Sequence, residues 1–430
     1  VSPTFNLLTS VMDDMRPENK YLHLMDEQEA ITKAQALLNR QGEVAVSPLA
    51  VYRHASKADS VQQGRPNVVL IMMESMSSKL MKHFGQSETL TPFLDSLYTR
   101  SISFRNFYSA GIHTNHGLYA TLYSFPAMMK RNLMKGSVIP RYSGLPTVLK
   151  ENGYYNLFFM THEGQYDNMN AFFRTNGYDE VFSQENYPAD KVVNSFGVQD
   201  DFLYDYAIPV LNQRAATGEP FFATLLSISN HPPYVIPPFF HPKTSEPEMQ
   251  IVEYADWALR KFFEEARKQP WFDNTIFVLE GDHGKLVGDA ECELPESYNH
   301  IPLMIYSSRI HPEEKNTFGG QVDIQPTILG LLNIDYLQNN FGVDLLKEER
   351  PCMFYTADNM IVGRNDTLLY LYNYETQQEF TYHIDNGKLK AVPMDDRFLP
   401  LKEYSFSMLQ SAEFLVKHGK TVNSVPVTQQ

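Results

Sequence analysis

The 430-residue chain is 43% hydrophobic and 20% charged, the balance of a folded globular protein with enough apolar material for a large core. Its net charge of −15, with no local Lys/Arg cluster, excludes electrostatic nucleic-acid binding and unaided docking on an anionic membrane. No apolar run reaches the ~18–20 residues that span a bilayer, so membrane attachment would need a separate anchor, and the start at Val1 reads as a processed or truncated product.

Residues 1–64 read as an approach segment and linker. Tyr21–Arg40 carries Leu22, Leu24, Met25, Ala30, Ile31, Ala34 and Leu37 at loosely helical spacing, and Gln41–Gly64 is polar. The main domain, 65–345, opens with Asn67–Met73, a short continuous apolar run of the kind a buried parallel strand makes. Further strands are predicted at Tyr155–Met160, Phe221–Ile228, Thr275–Leu279 and Pro302–Tyr306. Helices are predicted between them, at Thr91–Thr99, Leu145–Asn152, Asp200–Gln213, Ile251–Lys268 and Val322–Leu332. This alternation predicts an α/β fold with a mostly parallel central sheet flanked by helices. Over 346–430 the pattern changes to short strands at Met353–Thr356, Thr367–Tyr372, Glu379–Ile384 and Lys388–Val392, with turn signals at Asn365-Asp366 and Asp385-Asn386-Gly387. A helix over Tyr404–His418 completes a small C-terminal antiparallel sheet plus helix, and the last dozen residues are expected to fray. Cys292 and Cys352 leave open one disulfide or two buried thiols.

Ligands of open α/β sheets bind beyond the carboxyl ends of the strands, so the polar residues that directly follow the apolar runs are the candidates. Glu74 follows the first run, His162 the second, Asn230-His231 the third and Asp282-His283-Gly284 the fourth. Glu74 with Asp282 and His283 offers carboxylate oxygens and an imidazole to one divalent ion. Alone, Glu74 would read as a helix-capping acid and Asp282-His283-Gly284 as a turn; four strand ends of this kind favour a site. Thr114 precedes a helix expected over Leu118–Phe125, where the helix dipole stabilises an alkoxide and the phosphate it attacks, although an N-cap reading is open. Metal coordination would lower its hydroxyl pKa and make it a nucleophile. His231 and His300 are candidates for substrate contact or acid/base work, with a structural reading beside each, and the same holds for His162; His113 and His116 receive no role.

A series of short blocks resembles a known family. They are Asn67–Met73 with Glu74-Ser75, Thr91–Leu97, Phe104–Tyr108, the Thr114 loop, Gly177-Tyr178-Asp179, Phe196–Asp200, Asn230-His231, Tyr254-Ala255-Asp256, Gly281–Gly284, Asn299–Pro302 and Gln321–Thr327. In that order they resemble the extracellular catalytic domain of lipoteichoic acid synthases and related phosphoglycerol transferases, within the alkaline phosphatase/sulfatase superfamily, over roughly residues 65–335. The C-terminal sheet plus helix is also similar to that family's. The resemblance implies one divalent metal, manganese most often with magnesium or zinc as alternatives, held by Glu74, Thr114, Asp282 and His283. It implies attack by Thr114 on the phosphorus of phosphatidylglycerol, release of diacylglycerol, and transfer of glycerophosphate to a glycan or glycolipid hydroxyl. His162 and His231 match positions that contact the glycerophosphate. The family's domain lies on the extracytoplasmic face of the membrane, joined to transmembrane helices that would precede this chain.

One departure stands out. Where that family has an arginine shortly after the His162 position, this chain reads Glu163-Gly164-Gln165-Tyr166-Asp167-Asn168-Met169-Asn170. Asn168 is the substrate-binding candidate there, and a neutral amide is a weaker phosphate partner than a guanidinium fork, so a different head group or ester stays open. A formylglycine sulfatase would need Cys or Ser followed by Pro and Arg, where Thr114 is followed by Asn115-His116-Gly117. A two-metal phosphatase would need a second ligand set, which only His231 and His300 could begin to supply. A phosphoethanolamine transferase, a phosphodiesterase-type or sulfatase-like hydrolase, and a degenerate head-group-binding protein remain the alternatives. Donor, acceptor, metal identity and oligomeric state are not fixed by the sequence.

Overall fold

The structure is a computed structural model, and it describes residues 21–39, 47, 49–55, 64–136 and 138–423. Of the polar linker expected over Gln41–Gly64, only residues 47, 49–55 and 64 are described, and Tyr52–Ala55 is a strand rather than linker; Arg40 and the last seven of the residues expected to fray lie outside the described residues. In chain order the strands are β1 (Tyr52–Ala55), β2 (Asn67–Met73), β3 (Ile102–Tyr108), β4 (Tyr155–Phe159), β5 (Glu180–Phe182), β6 (Phe221–Leu226), β7 (Thr275–Gly281) and β8 (Leu303–Tyr306). They continue with β9 (Glu313–Gly320), β10 (Tyr336–Asn339), β11 (Met353–Ala357), β12 (Met360–Arg364), β13 (Leu368–Asn373), β14 (Glu379–Asp385) and β15 (Lys388–Ala391). No helix among the described residues is long and apolar enough to cross a membrane.

The described chain divides into two compact units, and the first comprises Gln63–Thr114 and Leu149–Thr317. Its sheet has the order β5-β4-β6-β2-β7-β8-β3-β9. From β5 to β7 every pairing is parallel, and β8 then runs antiparallel to both β7 and β3. The expectation of an α/β domain with a mostly parallel central sheet therefore holds. Every residue of β2, β6 and β7 is buried, which is why these strands read as unbroken apolar runs rather than alternating ones. Val69, Ile71 and Met73 of β2 share a core with Tyr204, Leu259, Phe262, Phe263 and Phe277. Each such aliphatic side chain contributes ~1.5–3 kcal/mol by leaving water.

The helix Pro247–Ala266 shows how the flanking layer forms. Pro247 stands at its start, where a missing N–H costs nothing. Ile251, Tyr254, Ala258, Leu259, Phe262, Phe263 and Ala266 then recur at helical spacing as its buried face. The structure adds β3, β5 and β9 to this sheet, which the sequence reading did not anticipate. β9 is polar and mostly exposed over Glu313–Thr317, so its sequence carries no apolar signature.

The second unit comprises the described residues within Val1–Gln62, Asn115–Val148 and Phe318–Gln430. In it β11 to β15 form an antiparallel meander in sequence order, and β1 pairs with β10. The β14–β15 hairpin closes through Asn386-Gly387, both at positive φ (49° and 74°), the conformation that Asn-Gly supplies most readily. The C-terminal helix runs Leu399–Lys417, five residues earlier than the sequence suggested at its start, because Pro400 sits where a helix accepts proline. The N-terminal helix spans Glu27–Leu38 and is capped by the Asp26 carboxylate, which accepts from Glu29 N. A buried Arg350–Asp323 ion pair, with Tyr404 accepting from the same guanidinium, ties this unit together.

Candidate active site

The site grows from the register of two neighbouring strands. Met73 at the end of β2 lies opposite Gly281 at the end of β7, so Glu74 and Asp282 leave the sheet side by side. Asp282 N donates to the Met73 carbonyl at 2.9 Å and extends the ladder by one rung. On the other flank Ser227, just beyond β6, accepts from Glu74 N through its hydroxyl at 3.0 Å. Ser75 turns the chain with φ +50°, a left-handed conformation unusual for serine. Its N–H donates to Asp282 Oδ1 at 2.8 Å and its hydroxyl to Glu74 Oε1 at 2.6 Å. Asp282 Oδ1 also accepts from His283 N at 2.7 Å.

Four of the expected residues converge here. The donor atoms of Glu74, Asp282 and His283 all lie within 4.8 Å of one another. His283 Nε2 is 3.7 Å from Glu74 Oε1 and 3.6 Å from Asp282 Oδ2. Thr114 Oγ1 is 3.5 Å from Glu74 Oε2, and Thr114 is the first residue of the helix Thr114–Tyr123, four residues before the predicted start. The chemistry of this donor set fits a divalent cation. Two buried carboxylates face each other, and burial first, then the Asp282 charge, pushes the Glu74 carboxyl well above the usual carboxylate range. His283 Nδ1 lies 2.7 Å from the Gly284 carbonyl, which can only accept, so in the neutral ring Nε2 presents its lone pair toward the carboxylates.

The other expected residues sit on loops at neighbouring strand ends. His162 follows β4, is buried, and has Nδ1 at 3.1 Å from the Glu163 carbonyl and its ring 4.6 Å from that of Tyr166. Burial lowers its pKa. Its backbone is buttressed by Gly197, where φ is +90° and a Cβ would stand 1.8 Å from the Thr161 carbonyl oxygen, so only glycine fits. His231 follows β6, with its ring 4.2 Å from that of Phe196 and Nδ1 2.6 Å from the Pro232 carbonyl. Asn168 holds a left-handed conformation (φ 62°) at the start of the helix Met169–Thr175. His300 has a different setting. Its Nε2 meets the Arg105 carbonyl at 2.8 Å, and its ring stacks on Tyr108 with Phe84 at its edge. These contacts suit anchoring of the segment around residue 300 to β3.

Three groups escaped the sequence reading. Asp200 and Asp256 are buried carboxylates that line, with Glu74, a small cavity beneath the site. Asp200 accepts from Ile228 N and Ser229 N, which fixes the loop bearing Asn230 and His231. Asp256 accepts from Phe93 N and Leu94 N at the start of the helix Pro92–Tyr98, and burial pushes its carboxyl up to about 7. Both fall inside recognised blocks, but a one-dimensional pattern does not say which backbone a carboxylate will cap. The third is Lys285, whose Nζ donates to Asn230 Oδ1 at 2.7 Å; burial lowers its pKa to about 8, against the pull of Glu248 and Glu74. Cys292 and Cys352 are free thiols, both pushed up by burial.

Known proteins resemble this chain in sequence and in fold. Residues 66–334 match the model of the family described as Sulfatase. Lipoteichoic acid synthase 2 of Bacillus subtilis is 24% identical over 315 residues, covering 66% of this chain and 47% of the relative. Lipoteichoic acid synthase 1 of the same organism is 25% identical over 354 residues, covering 76% and 54%. The chain thus spans about half the length of these curated relatives. Among solved structures, an alkaline phosphatase superfamily protein from Vibrio parahaemolyticus superposes with a TM-score of 0.83 at 25% identity, covering 95% of this chain and all (100%) of that one. The lipoteichoic acid synthase LtaP from Listeria monocytogenes gives 0.69 at 22% identity, covering 82% and 92%, a likeness of fold.

Proposed function

The chain belongs to the sulfatase family of the alkaline phosphatase superfamily, and on that premise we propose that it is a metal-dependent phosphoglycerol transferase with Thr114 as nucleophile. The observation that carries this reading is the Thr114 hydroxyl, 3.5 Å from a Glu74 carboxylate oxygen inside the Glu74–Asp282–His283 cluster. The relatives named as lipoteichoic acid synthases support the choice of donor and acceptor. Glu74, Thr114, Asp282 and His283 would hold one divalent ion, manganese in preference to magnesium or zinc. Once bound, that ion would supply a Lewis acid that lowers the pKa of a hydroxyl and offsets phosphoryl charge.

The residues of the chain account for the rest. Thr114 lies at the positive end of its helix, and its proton passes to a carboxylate oxygen of Glu74 as the Thr114 O–P bond forms. The P–O bond to diacylglycerol breaks, and the leaving alkoxide takes a proton from His231, which stands partly exposed at the neighbouring strand end. The product is a glycerophosphoryl-threonine. His162, Asn168 and His231 orient the head group. A hydroxyl of a cell-envelope glycan or glycolipid then attacks the phosphorus, its proton returns to His231, the bond from phosphorus to the Thr114 oxygen breaks, and that oxygen takes back the proton held by Glu74. His300 is assigned no chemical step. We place the reaction at the extracytoplasmic face of the membrane, with the anchor supplied by a part outside this sequence.

The test is to incubate the manganese-loaded protein with fluorescent phosphatidylglycerol, beside phosphatidylethanolamine, and to follow diacylglycerol and the mass of the Thr114 peptide. The expected result is diacylglycerol with a glycerophosphate adduct on Thr114, and in T114A no adduct and turnover lower by roughly 10³-fold or more. An adduct from phosphatidylethanolamine alone would transfer the protein to the phosphoethanolamine class. Release without any adduct would remove Thr114 as nucleophile.

A further inference from the structure

Lys285 occupies a position that the chemistry above leaves unused. Its backbone is clamped: its N–H donates to Ser77 Oγ at 2.8 Å, and the Ser77 hydroxyl also lies 3.0 Å from the Lys285 carbonyl and 2.8 Å from that of Ser297. The preceding Gly284 donates to the Tyr298 carbonyl at 2.8 Å, and a Cβ there would meet the Ser297 carbonyl oxygen at 2.1 Å. The side chain reaches across the Tyr234 ring, with Nζ 5.2 Å from its centroid, and donates to Asn230 Oδ1. The Asn230 amide in turn donates to the carbonyls of Glu74 and Ser75, at 3.2 Å each. The ammonium is therefore tethered, through one amide, to the two residues that present the Glu74 carboxylate.

Among the described residues its own hydrogen bonding is incomplete. An ammonium carries three donors, and the acceptor found for it is a neutral amide. Among the described residues no carboxylate lies within 4.0 Å of Lys285 Nζ. A largely enclosed cation whose direct acceptor is a neutral amide, with Glu248 and Glu74 acting only from a distance, is costly unless a ligand brings an anionic oxygen into contact. The charges of the site say which ligand. A divalent ion would be neutralised by Glu74 and Asp282, and passing the Thr114 proton to Glu74 leaves that sum unchanged. A phosphodiester arriving with its own negative charge would then meet no net attraction.

We propose that Lys285 is the phosphoryl-oxygen ligand of this site, the cation that binds a non-bridging oxygen of a singly charged phosphodiester while Thr114 attacks the phosphorus. This rests on the reading of Thr114 as a nucleophile toward phosphorus, and it narrows the substrate class to anionic phosphodiesters. Asn230 is a positioning residue that aims the ammonium.

Two equilibrium measurements test it on the manganese-loaded protein, with metal content checked for each variant. The first titrates inorganic phosphate; the second follows association with phosphatidylglycerol vesicles against phosphatidylcholine vesicles. In K285M, which keeps the stem over Tyr234, phosphate affinity and phosphatidylglycerol-dependent binding are both expected to fall by about ten- to a hundredfold, the weight of one charged hydrogen bond. K285R is expected to recover most of the loss. A K285M protein that keeps its manganese and binds phosphate as well as the wild type overturns the proposal. So does a loss confined to vesicles, which would make Lys285 a surface charge. Neither readout needs turnover, so failure of the transferase reading, seen as no Thr114 adduct in wild type, is separable from failure of the Lys285 assignment.

Discussion

Glu74 is enclosed by protein and faces a second carboxylate, and the Ser75 hydroxyl, with a longer contact from Thr114, is what favours its charged form among the described residues. A divalent ion would relieve that conflict directly. Saturating manganese should therefore raise the thermal midpoint of the wild type, with about 2.7 kcal/mol of added stability at a hundred times the dissociation constant. In E74Q the affinity should drop by about a hundredfold or more, beyond the ~10–100-fold typical of outer-shell changes, and the midpoint should barely respond at the same manganese concentration. An equal response in both proteins would remove Glu74 from the ligand set. At this scale the sequence was informative where chemistry follows an apolar run, as it does at Glu74, Asp282 and His283. It was uninformative at Lys285, whose significance is a side-chain contact with Asn230, 55 residues away.

Two elements carry the site's geometry at some distance from it. Asp256, from the helix Pro247–Ala266, holds the start of the helix Pro92–Tyr98 through two backbone N–H groups. Burial raises its carboxyl to about 7, with Asp95 adding to the effect and Arg260 opposing it, against ~3.9 in the unfolded chain. The folded state thus holds the extra proton. The stability this provides is fully present below about pH 4 and is lost as pH rises through about 7. Measured in chelator, unfolding free energy should fall between pH 5 and 8 more steeply in wild type than in D256N, the difference reaching a few kcal/mol at ~1.4 per unit. Parallel curves would refute the assignment. The loop around Gly197 is the second such element. G197A should cost about 2 kcal/mol or more and, by pushing on Thr161 and His162, raise KM for the lipid; an unchanged midpoint and KM would show that the loop yields freely.

For the molecule as a whole the net charge of −15 matters most. A chain so acidic is repelled by an anionic bilayer, and the repulsion is screened over ~10 Å at 0.1 M salt. Turnover of phosphatidylglycerol in vesicles should accordingly rise between low and physiological ionic strength, whereas turnover of the same lipid dispersed in neutral detergent should change little. Equal salt responses would show that this repulsion does not limit turnover. The fold was legible at this scale because β2, β4, β6, β7 and β8 are apolar throughout or nearly so, and the helices between them keep a helical period. β9 and β12 were not, for separate reasons. β9 is an edge strand with a polar, exposed start, and β12 is a five-residue segment whose Gly363 and Arg364 obscure its strand character.

The pairing of Met73 with Gly281 has a further meaning. Adjacent strands of any sheet stand ~4.8 Å apart, so the gap between the Glu74 and Asp282 backbones is a property of the hydrogen-bond ladder and of no particular ion. The sheet acts as a ruler. Loops around the opening are free to diverge in length and sequence, and with them the molecules admitted, while the separation of the two acids is inherited unchanged.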